Sequence, residues 1–302
     1  MRTEARAAIV TLALMNLGFT EGSTSARIDS DTSAHGAVTK LPTWLWGEWR
    51  RDWIMRGRVK SSTLEVHYLQ TPTYFGDIRI PKVRTGILAA QSFDDLTDQQ
   101  LRMLAAQNGF TGQTTVEGNV ATWSDEIAFQ PPDGTPDHGR LQRIPPDGMH
   151  EHGLDGSYIE SWRHLTAGKK KFLVVRVEHA GRLERTLVVV GNHFVFVRNR
   201  AKDLPKAPSF DALIETTKAT REQIVEYLDC EFSVGRVRGG SVPWEIQKST
   251  LPWREGQHLD FVEQMSASEK GLGLVPRGVD KDQWTVPLNT LSLGEIKALF
   301  GG

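Results

Sequence analysis

The chain has little of several features that would define a function at once. Cysteine occurs once, at Cys230, which excludes an internal disulfide and a cluster of thiolate metal ligands. No apolar run reaches the roughly 18 to 20 residues that a membrane-spanning helix needs. The formal net charge is −1, and the basic residues are dispersed rather than gathered into the one-sided field that nucleic acid requires. We therefore expect no nucleic-acid partner and no membrane span.

Motifs for common cofactors and covalent nucleophiles are also missing. The sequence contains no glycine-rich phosphate loop, dinucleotide fingerprint or Gly-x-Ser-x-Gly elbow. Cys230 lies in a strand-like run, which favours a small core residue over a nucleophile. The sequence therefore predicts a protein that works without a cofactor.

The first 36 residues differ from the rest. Arginines precede an apolar stretch over residues 7–19, and Thr24-Ser25-Ala26 can serve as a cleavage site, as in a secretory signal. Glu4 and Asn16 interrupt the basic and apolar parts of that pattern. We expect a leader or disordered segment over residues 1–38 and a cytoplasmic protein, with export through this segment as the alternative.

What the chain does contain is an internal repeat. A displacement of 121 residues aligns Gly47 with Gly168, Phe75 with Phe196, Arg79 with Arg200, Trp123 with Trp244 and Pro131 with Pro252. The predicted elements agree, because each copy reads as three strands, one amphipathic helix and further strands. We therefore expect two domains, over residues 39–166 and 167–302.

Strands dominate both copies. Residues 63–70 alternate with the period of two of a half-buried strand, residues 74–80 form the next strand, and short strands separated by Gly/Pro turns follow the helix. Apolar residues at helical spacing predict one helix over 94–107, capped by Asp94 or Thr97, and one near 210–227. Residues beyond 256 are harder to assign, so the alternatives for the second barrel are that it is incomplete or that it ends in a short helix at 293–300. One helix per copy is too few to cover an open sheet, so we expect each sheet to close into a barrel. A barrel of about eight strands is wide enough to hold one small ligand.

Several segments are similar to a known family. Leu45-Trp46-Gly47-Glu48-Trp49-Arg50 resembles the Gly-x-Trp signature near the start of lipocalins, where the tryptophan plugs the barrel end. Four longer segments also carry a resemblance: residues 68–81, 107–110, 123–132 and 156–162. Together they resemble a family of largely uncharacterised bacterial and fungal proteins with tandem lipocalin-like barrels. The resemblance implies a mainly β fold of two tandem antiparallel calycin-like or lipocalin-like barrels, each with one helix, and it implies no catalytic residues.

Ionisable residues on two neighbouring strands form the main candidate site. Period-two alternation puts Glu65 and His67 on one face of the second strand, and Phe75, Asp77 and Arg79 on one face of the third. If these strands pair, His67, Asp77 and Arg79 converge, and His67 can exchange a proton near neutral pH beside an ionised Asp77. The alternative is an outward-facing row of solvated charges, because a spacing of two does not define which face is inner.

The closing strand of the first copy supplies a second group. Tyr158, Glu160 and Trp162 share a face and offer a hydroxyl donor, an acid or base and an apolar wall. The predicted catalytic set is His67, Asp77, Arg79, Tyr158 and Glu160. The predicted ligand-binding set is Tyr68, Phe75, Trp123 and Trp162.

Histidines offer two alternatives. His150 and His152 project together from a strand and can hold a divalent metal with His138 or Glu160 as a third ligand, but two exposed histidines at a turn explain the same residues. Haem bound through one strand histidine, either His67 or His193, is the other. We expect neither a metal nor a cofactor.

Together these residues predict a cofactor-independent acid–base enzyme of the lyase, hydratase or isomerase type. It would act on a small hydrophobic molecule in the first barrel, where a histidine moves the proton and an arginine or tyrosine stabilises negative charge on oxygen. The second copy has Val188 and Arg198 at the positions of His67 and Asp77, so we expect any site in the first. The alternative is a non-catalytic binder or carrier of a small hydrophobic ligand, or an interaction module. The oligomeric state stays open.

Overall fold

The computed structural model describes residues 41–165, 171–269, 273–277 and 283–300. The expected leader lies outside these residues. The strands are β1 (Gly47–Arg56), β2 (Val59–Ser61), β3 (Leu64–Gln70), β4 (Tyr74–Pro81), β5 (Asn108–Glu117), β6 (Val120–Trp123), β7 (Ile127–Ala128), β8 (Asp137–Ile144), β9 (Gly148–Gly153), β10 (Ile159–His164), β11 (Phe172–His179), β12 (Arg182–Val190), β13 (His193–Arg198), β14 (Glu231–Arg236), β15 (Glu245–Ser249), β16 (Met265–Ala267), β17 (Leu274–Pro276) and β18 (Trp284–Asn289). The α-helices are α1 (Asp98–Ala105), α2 (Phe210–Thr217), α3 (Arg221–Leu228) and α4 (Leu293–Phe300). Within the described ranges, no helix has the length and apolar character needed to span a membrane.

The first half of the described chain forms a closed antiparallel barrel. Its strands pair in the order β10-β9-β8-β6-β5-β4-β3-β1, and β1 pairs in turn with β10, so that the eight strands form a ring. The short strands β2 and β7 pair with β1 and β5 outside this ring. The expected barrel in the first copy is therefore confirmed. Closure gives every strand of the ring two neighbours and leaves no unpaired edge.

The segment that resembles the lipocalin signature packs into this barrel. Trp49 is 2% exposed, and its Nε1 donates a hydrogen bond to the Leu45 carbonyl at 2.7 Å. Trp44 packs edge-on against Trp49, with ring centroids 6.3 Å apart. Gly47 has a φ of 139°, a backbone conformation that favours glycine.

The second half forms an open sheet instead of the expected second barrel. Its order, β15-β14-β13-β12-β11-β18, follows that of β6-β5-β4-β3-β1-β10 in the barrel. In the described ranges β15 and β18 do not pair, so this sheet has two ends. Its inner face packs against the 3₁₀ segment Asp260–Gln264, the β16–β17 hairpin and α4, which cover the apolar side chains that a closed barrel would enclose.

The second half also has more helices than the one expected. Lys218 adopts a φ of 49° at the end of α2, and Thr220 then caps α3, so the region near residues 210–227 contains two helices. The expectation of one helix per copy is therefore wrong here. The third helix, α4, covers the same residues as the short helix given as an alternative for the end of this copy. In the first half α1 is the expected helix, and its cap is Thr97 rather than Asp94.

The two halves, called here the first lobe (residues 41–165) and the second lobe (residues 171–300), pack face to face. Outward-facing residues of β3 and β4 join those of β12 and β13 and the helices α1 to α3 in one apolar core. A Cβ at Gly76 would lie 2.7 Å from Val195 Cγ1, so glycine allows this close approach. Arg200 crosses the interface and donates to the carbonyls of Ala128 and Phe129, each at 2.7 Å. Apolar contact and hydrogen bonds both hold the lobes together.

Candidate functional site

The inside of the barrel combines charged and aromatic side chains around a small cavity. The cavity has a volume of only about 10 Å³, roughly what one water molecule needs. Its lining residues are Tyr68, Asp77, Arg79, Phe110, Trp123, Asp137, Met149, Glu151 and Trp162. A space of this size holds about one water molecule, so side chains must shift before a larger molecule can enter.

Strand register decides which predicted residues reach this cavity. In the β3–β4 pair, Tyr68 lies opposite Asp77 and His67 lies opposite Ile78. Residues directly opposite in an antiparallel pair share a face, and neighbours along a strand point to opposite faces. Tyr68, Asp77 and Arg79 therefore point into the barrel, whereas His67 points toward the second lobe. The predicted convergence of His67 with Asp77 and Arg79 is wrong for this reason.

Two guanidinium groups balance two of the buried carboxylates. Arg79 Nε donates to Asp77 Oδ1 at 2.8 Å, and Arg79 Nη1 lies 3.8 Å from Glu160 Oε1. Arg51, from β1, donates a hydrogen bond to the same Glu160 oxygen. The Arg79 guanidinium also lies 5.2 Å from the centroid of the Phe110 ring. Buried charges need such partners, because taking an ion out of water is costly.

Two residues of the cavity wall, and Glu160, which lies next to the lining residue Arg79, each have one buried polar atom with no hydrogen-bond partner among the described residues. The atoms are Asp77 Oδ2, Glu160 Oε2 and Trp162 Nε1. Asp77 is 1% exposed, and burial raises its pKa above the usual range even though Arg79 acts to lower it. Because almost all buried polar groups in proteins are hydrogen-bonded, these atoms mark a place where a bound molecule can be held.

Glu151 is a buried carboxyl that holds a proton at neutral pH. It projects inward from β9 and accepts a hydrogen bond from the Tyr158 hydroxyl at 2.8 Å. Burial raises the pKa of Glu151 to about 8, and the negative charges of Glu160 and Asp137 act in the same direction. At pH 7 this side chain is therefore mostly a neutral carboxylic acid that can donate a proton.

Two facing glycines make room for Glu151 and Tyr158. Gly139 of β8 lies opposite Gly153 of β9. A Cβ at Gly139 would lie 2.9 Å from Glu151 Cγ, and one at Gly153 would lie 2.8 Å from the Tyr158 ring. The absence of a side chain at both positions thus shapes this side of the cavity.

His67 belongs to a second ionic cluster, which lies between the lobes. Its Nε2 is 3.0 Å from Glu65 Oε1, and its Nδ1 is 3.9 Å from Glu48 Oε1. The other oxygen of Glu48 lies 2.8 Å from Nδ1 of His193 in the second lobe. Burial lowers the pKa of His67, but hydrogen bonds with Glu48 and Glu65 outweigh it and raise the pKa overall. This cluster joins the lobes and does not face the cavity.

The remaining predicted residues are placed as follows. Tyr68, Trp123 and Trp162 line the cavity, whereas Phe75 is completely buried beside Tyr68 and does not line it. Tyr158 reaches the cavity through its hydrogen bond to Glu151.

Three charged residues of this site were missed by sequence reasoning: Arg51, Asp137 and Glu151. A usable signal existed for Glu151, because period-two spacing in β9 puts it on the face of Met149 and opposite to the two histidines of the same strand. Those histidines, His150 and His152, have ring centroids 6.1 Å apart. Among the described residues, no group of three or more His, Cys, Asp or Glu side chains is arranged to hold a metal ion.

Comparisons with known proteins add little to this geometry. No family model and no curated protein matches the chain. Among solved structures, the chain is similar to the crystal structure of the uncharacterized protein YLR301w from Saccharomyces cerevisiae. The identity is 11% and the TM-score 0.48, with 81% of this chain and 98% of that chain covered. By its fold and site, the protein is a closed β-barrel with a charged interior that packs against an open sheet.

Proposed function

We propose that this protein binds a small molecule inside the barrel of the first lobe. The observation that carries the proposal is the set of unpartnered buried atoms, Asp77 Oδ2, Glu160 Oε2 and Trp162 Nε1, beside a cavity with aromatic walls. Aromatic surface with a few placed polar groups is the usual composition of a ligand pocket. The resemblance of the segments around Trp49 to lipocalin-like barrels agrees with binding inside the ring, and membership of that family is part of the proposal.

A second candidate function is acid–base catalysis, of the lyase, hydratase or isomerase type. It is favoured by one observation, which is that the same cavity contains Glu151 as a neutral acid and Asp77 beside the Arg79 guanidinium. Glu151 would donate a proton to the bound molecule, Asp77 would accept one, and Arg79 would stabilise negative charge that develops on oxygen. His67 has no part in this scheme, because it lies on the other face of β3.

Native mass spectrometry of protein purified from its host tests the binding proposal. We expect a retained small molecule that is lost in the Asp77→Asn variant, and kept in a Glu117→Gln control, since Glu117 is exposed on β5. If wild-type protein carries no small molecule and none of a chemically diverse panel binds, the proposal is wrong.

The same variants separate a binder from an enzyme. In a binder, Glu151→Gln changes affinity only, because the amide keeps the shape and one hydrogen-bond donor. In an enzyme, Glu151→Gln still binds the substrate but loses turnover, because an amide cannot deliver a proton. Conversion of the retained molecule by wild-type protein, measured by mass spectrometry over time, distinguishes the two.

A further inference from the structure

We propose that the molecule bound in the barrel is a small organic cation, such as a protonated primary amine. The inference rests on the proposed binding function and names the chemical class of the ligand. It stands on three features of the cavity: the balance of charge, the unpartnered oxygen atoms and the aromatic walls.

The charge balance inside the barrel favours a positive ligand. Four carboxyl groups, those of Asp77, Asp137, Glu151 and Glu160, face only two guanidinium groups, those of Arg51 and Arg79. Each guanidinium already contacts a carboxylate, so neither provides a free site for an anion. A cation can replace the proton that Glu151 holds and so compensate the excess of carboxyl groups, which matters because charges interact strongly away from water.

The unpartnered atoms offer acceptors to such a cation. Asp77 Oδ2 and Glu160 Oε2 have no hydrogen-bond donor among the described residues, and both side chains are at least nine-tenths buried. A primary ammonium group carries three N–H donors and no acceptor, so it can bond carboxylate oxygens directly.

The walls of the cavity suit the same class of ligand. Tyr68, Phe110, Trp123 and Trp162 are four aromatic rings around the carboxyl groups. Cations bind favourably over aromatic faces, and Arg79 already lies over the Phe110 ring in this way. The cavity now has room for about one water molecule, so side chains must shift to admit the carbon chain of the ligand, and only a short chain is expected to fit.

Binding of a cation should displace a proton from Glu151. The charged and titratable groups that face Glu151 are Glu160, Asp137, Arg79 and Tyr158. Burial and the two carboxylates keep its pKa at about 8, and a nearby positive charge opposes both effects. At pH 7 the amine therefore binds with release of up to one proton, and its affinity rises as the pH approaches about 8.

Isothermal titration calorimetry with three molecules of matched shape tests the inference. Isobutylamine, isobutanol and isobutyrate are each titrated into the full chain at pH 7, in two buffers of different ionisation enthalpy. We expect isobutylamine to bind at least tenfold more tightly than isobutanol, isobutyrate not to bind, and the two buffers to reveal proton release. We expect Glu151→Gln to abolish the proton release, and the exposed Glu117→Gln control to retain it.

If a variant fails to fold, the wild-type measurements alone still test the cation inference. Equal or tighter binding of isobutanol or isobutyrate overturns the cation inference but leaves small-molecule binding intact. Binding of isobutylamine without proton release overturns the role given to Glu151. If none of the three binds, the inference fails, and a small molecule retained in native mass spectra shows whether the proposed function survives it.

Discussion

The two lobes share an order of strands but keep different interiors. In the first lobe β8 and β9 complete the ring between β6 and β10, and β9 supplies Glu151 to the cavity. In the second lobe, over the described residues, β15 and β18 stay apart, and the inner face packs against α4 and the β16–β17 hairpin. The same meander thus yields a ring around charged groups in one lobe and a sheet covered by apolar side chains in the other.

The comparison shows how closure and charge depend on each other. A closed ring excludes water on all sides, so ionisable groups inside it must be paired or protonated. Arg51, Arg79 and the neutral Glu151 meet that requirement in the first lobe. At the position of Asp77 the second lobe has Arg198, which pairs with the half-exposed Asp229 at 2.6 Å.

Removing one partner of the buried ion pair should have the largest effect. Arg51→Met leaves Glu160 buried beside Arg79 alone, and we expect a loss of roughly 3 to 5 kcal/mol in the free energy of unfolding. The matched change in the second lobe, Arg198→Met, breaks a pair exposed by 32% and 53%. There we expect less than about 1 kcal/mol. Urea denaturation followed by tryptophan fluorescence measures both, and equal losses would contradict the contrast between the lobes.

Glu151 should make stability depend on pH. In the folded protein its pKa is about 8 against 4.5 for a free side chain, so the native state holds an extra proton between those values. Stability therefore falls as pH rises from about 4.5 to about 8, by a few kcal/mol at about 1.4 kcal/mol per pKa unit. Glu151→Gln should remove that decline. The free energy of unfolding, measured at pH 5, 7 and 9 in wild type and variant, tests this. The same pH dependence in both proteins would count against it.

A side chain at Gly76 should push the lobes apart. The new Cβ of Gly76→Ala would clash with Val195 of β13, and overpacking of this kind costs roughly 1 to 3 kcal/mol. Val195→Ala in the same chain should recover part of the loss, as a double-mutant cycle would show. Gly294→Ala, in α4 with no atom within 4 Å of the new Cβ, serves as the control and should not destabilise.

The smallest effects should be the same in both lobes. Thr97 and Thr220 cap α1 and α3 with the same capping box. Replacing either threonine with alanine should cost about 1 kcal/mol. Thermal or urea unfolding measures both variants. A clear difference between them would show that the two caps contribute unequally to the free energy of unfolding.

Parts of this structure could be predicted from local sequence, and other parts could not. Alternation placed Asp77 and Arg79 on one face, and the structure puts both beside the cavity. The same rule could not tell whether His67 shares that face, because only the register of β3 against β4 decides it. Closure was predictable for the first copy from its many strands. For the second copy the sequence left an incomplete barrel as an alternative, and local patterns could not decide it, since the open sheet depends on long-range packing of α4 and the hairpin.

The candidate site shows a similar limit. Spacing put Glu160 and Trp162 on one face, and both are buried in β10, whereas Glu151 was passed over beside two more conspicuous histidines. Its proton affinity has no local signal at all, because it arises from burial and from carboxylates on β8 and β10.

The protonation state of Glu151 tests the central claim most directly. Carbon-13 NMR of side-chain carboxyl groups, with Glu151→Gln to assign the resonance, follows its titration in the folded protein. The account predicts a midpoint near pH 8. A midpoint near 4.5 would mean that Glu151 is an ordinary solvated carboxylate, and would contradict a water-excluding, charge-filled barrel.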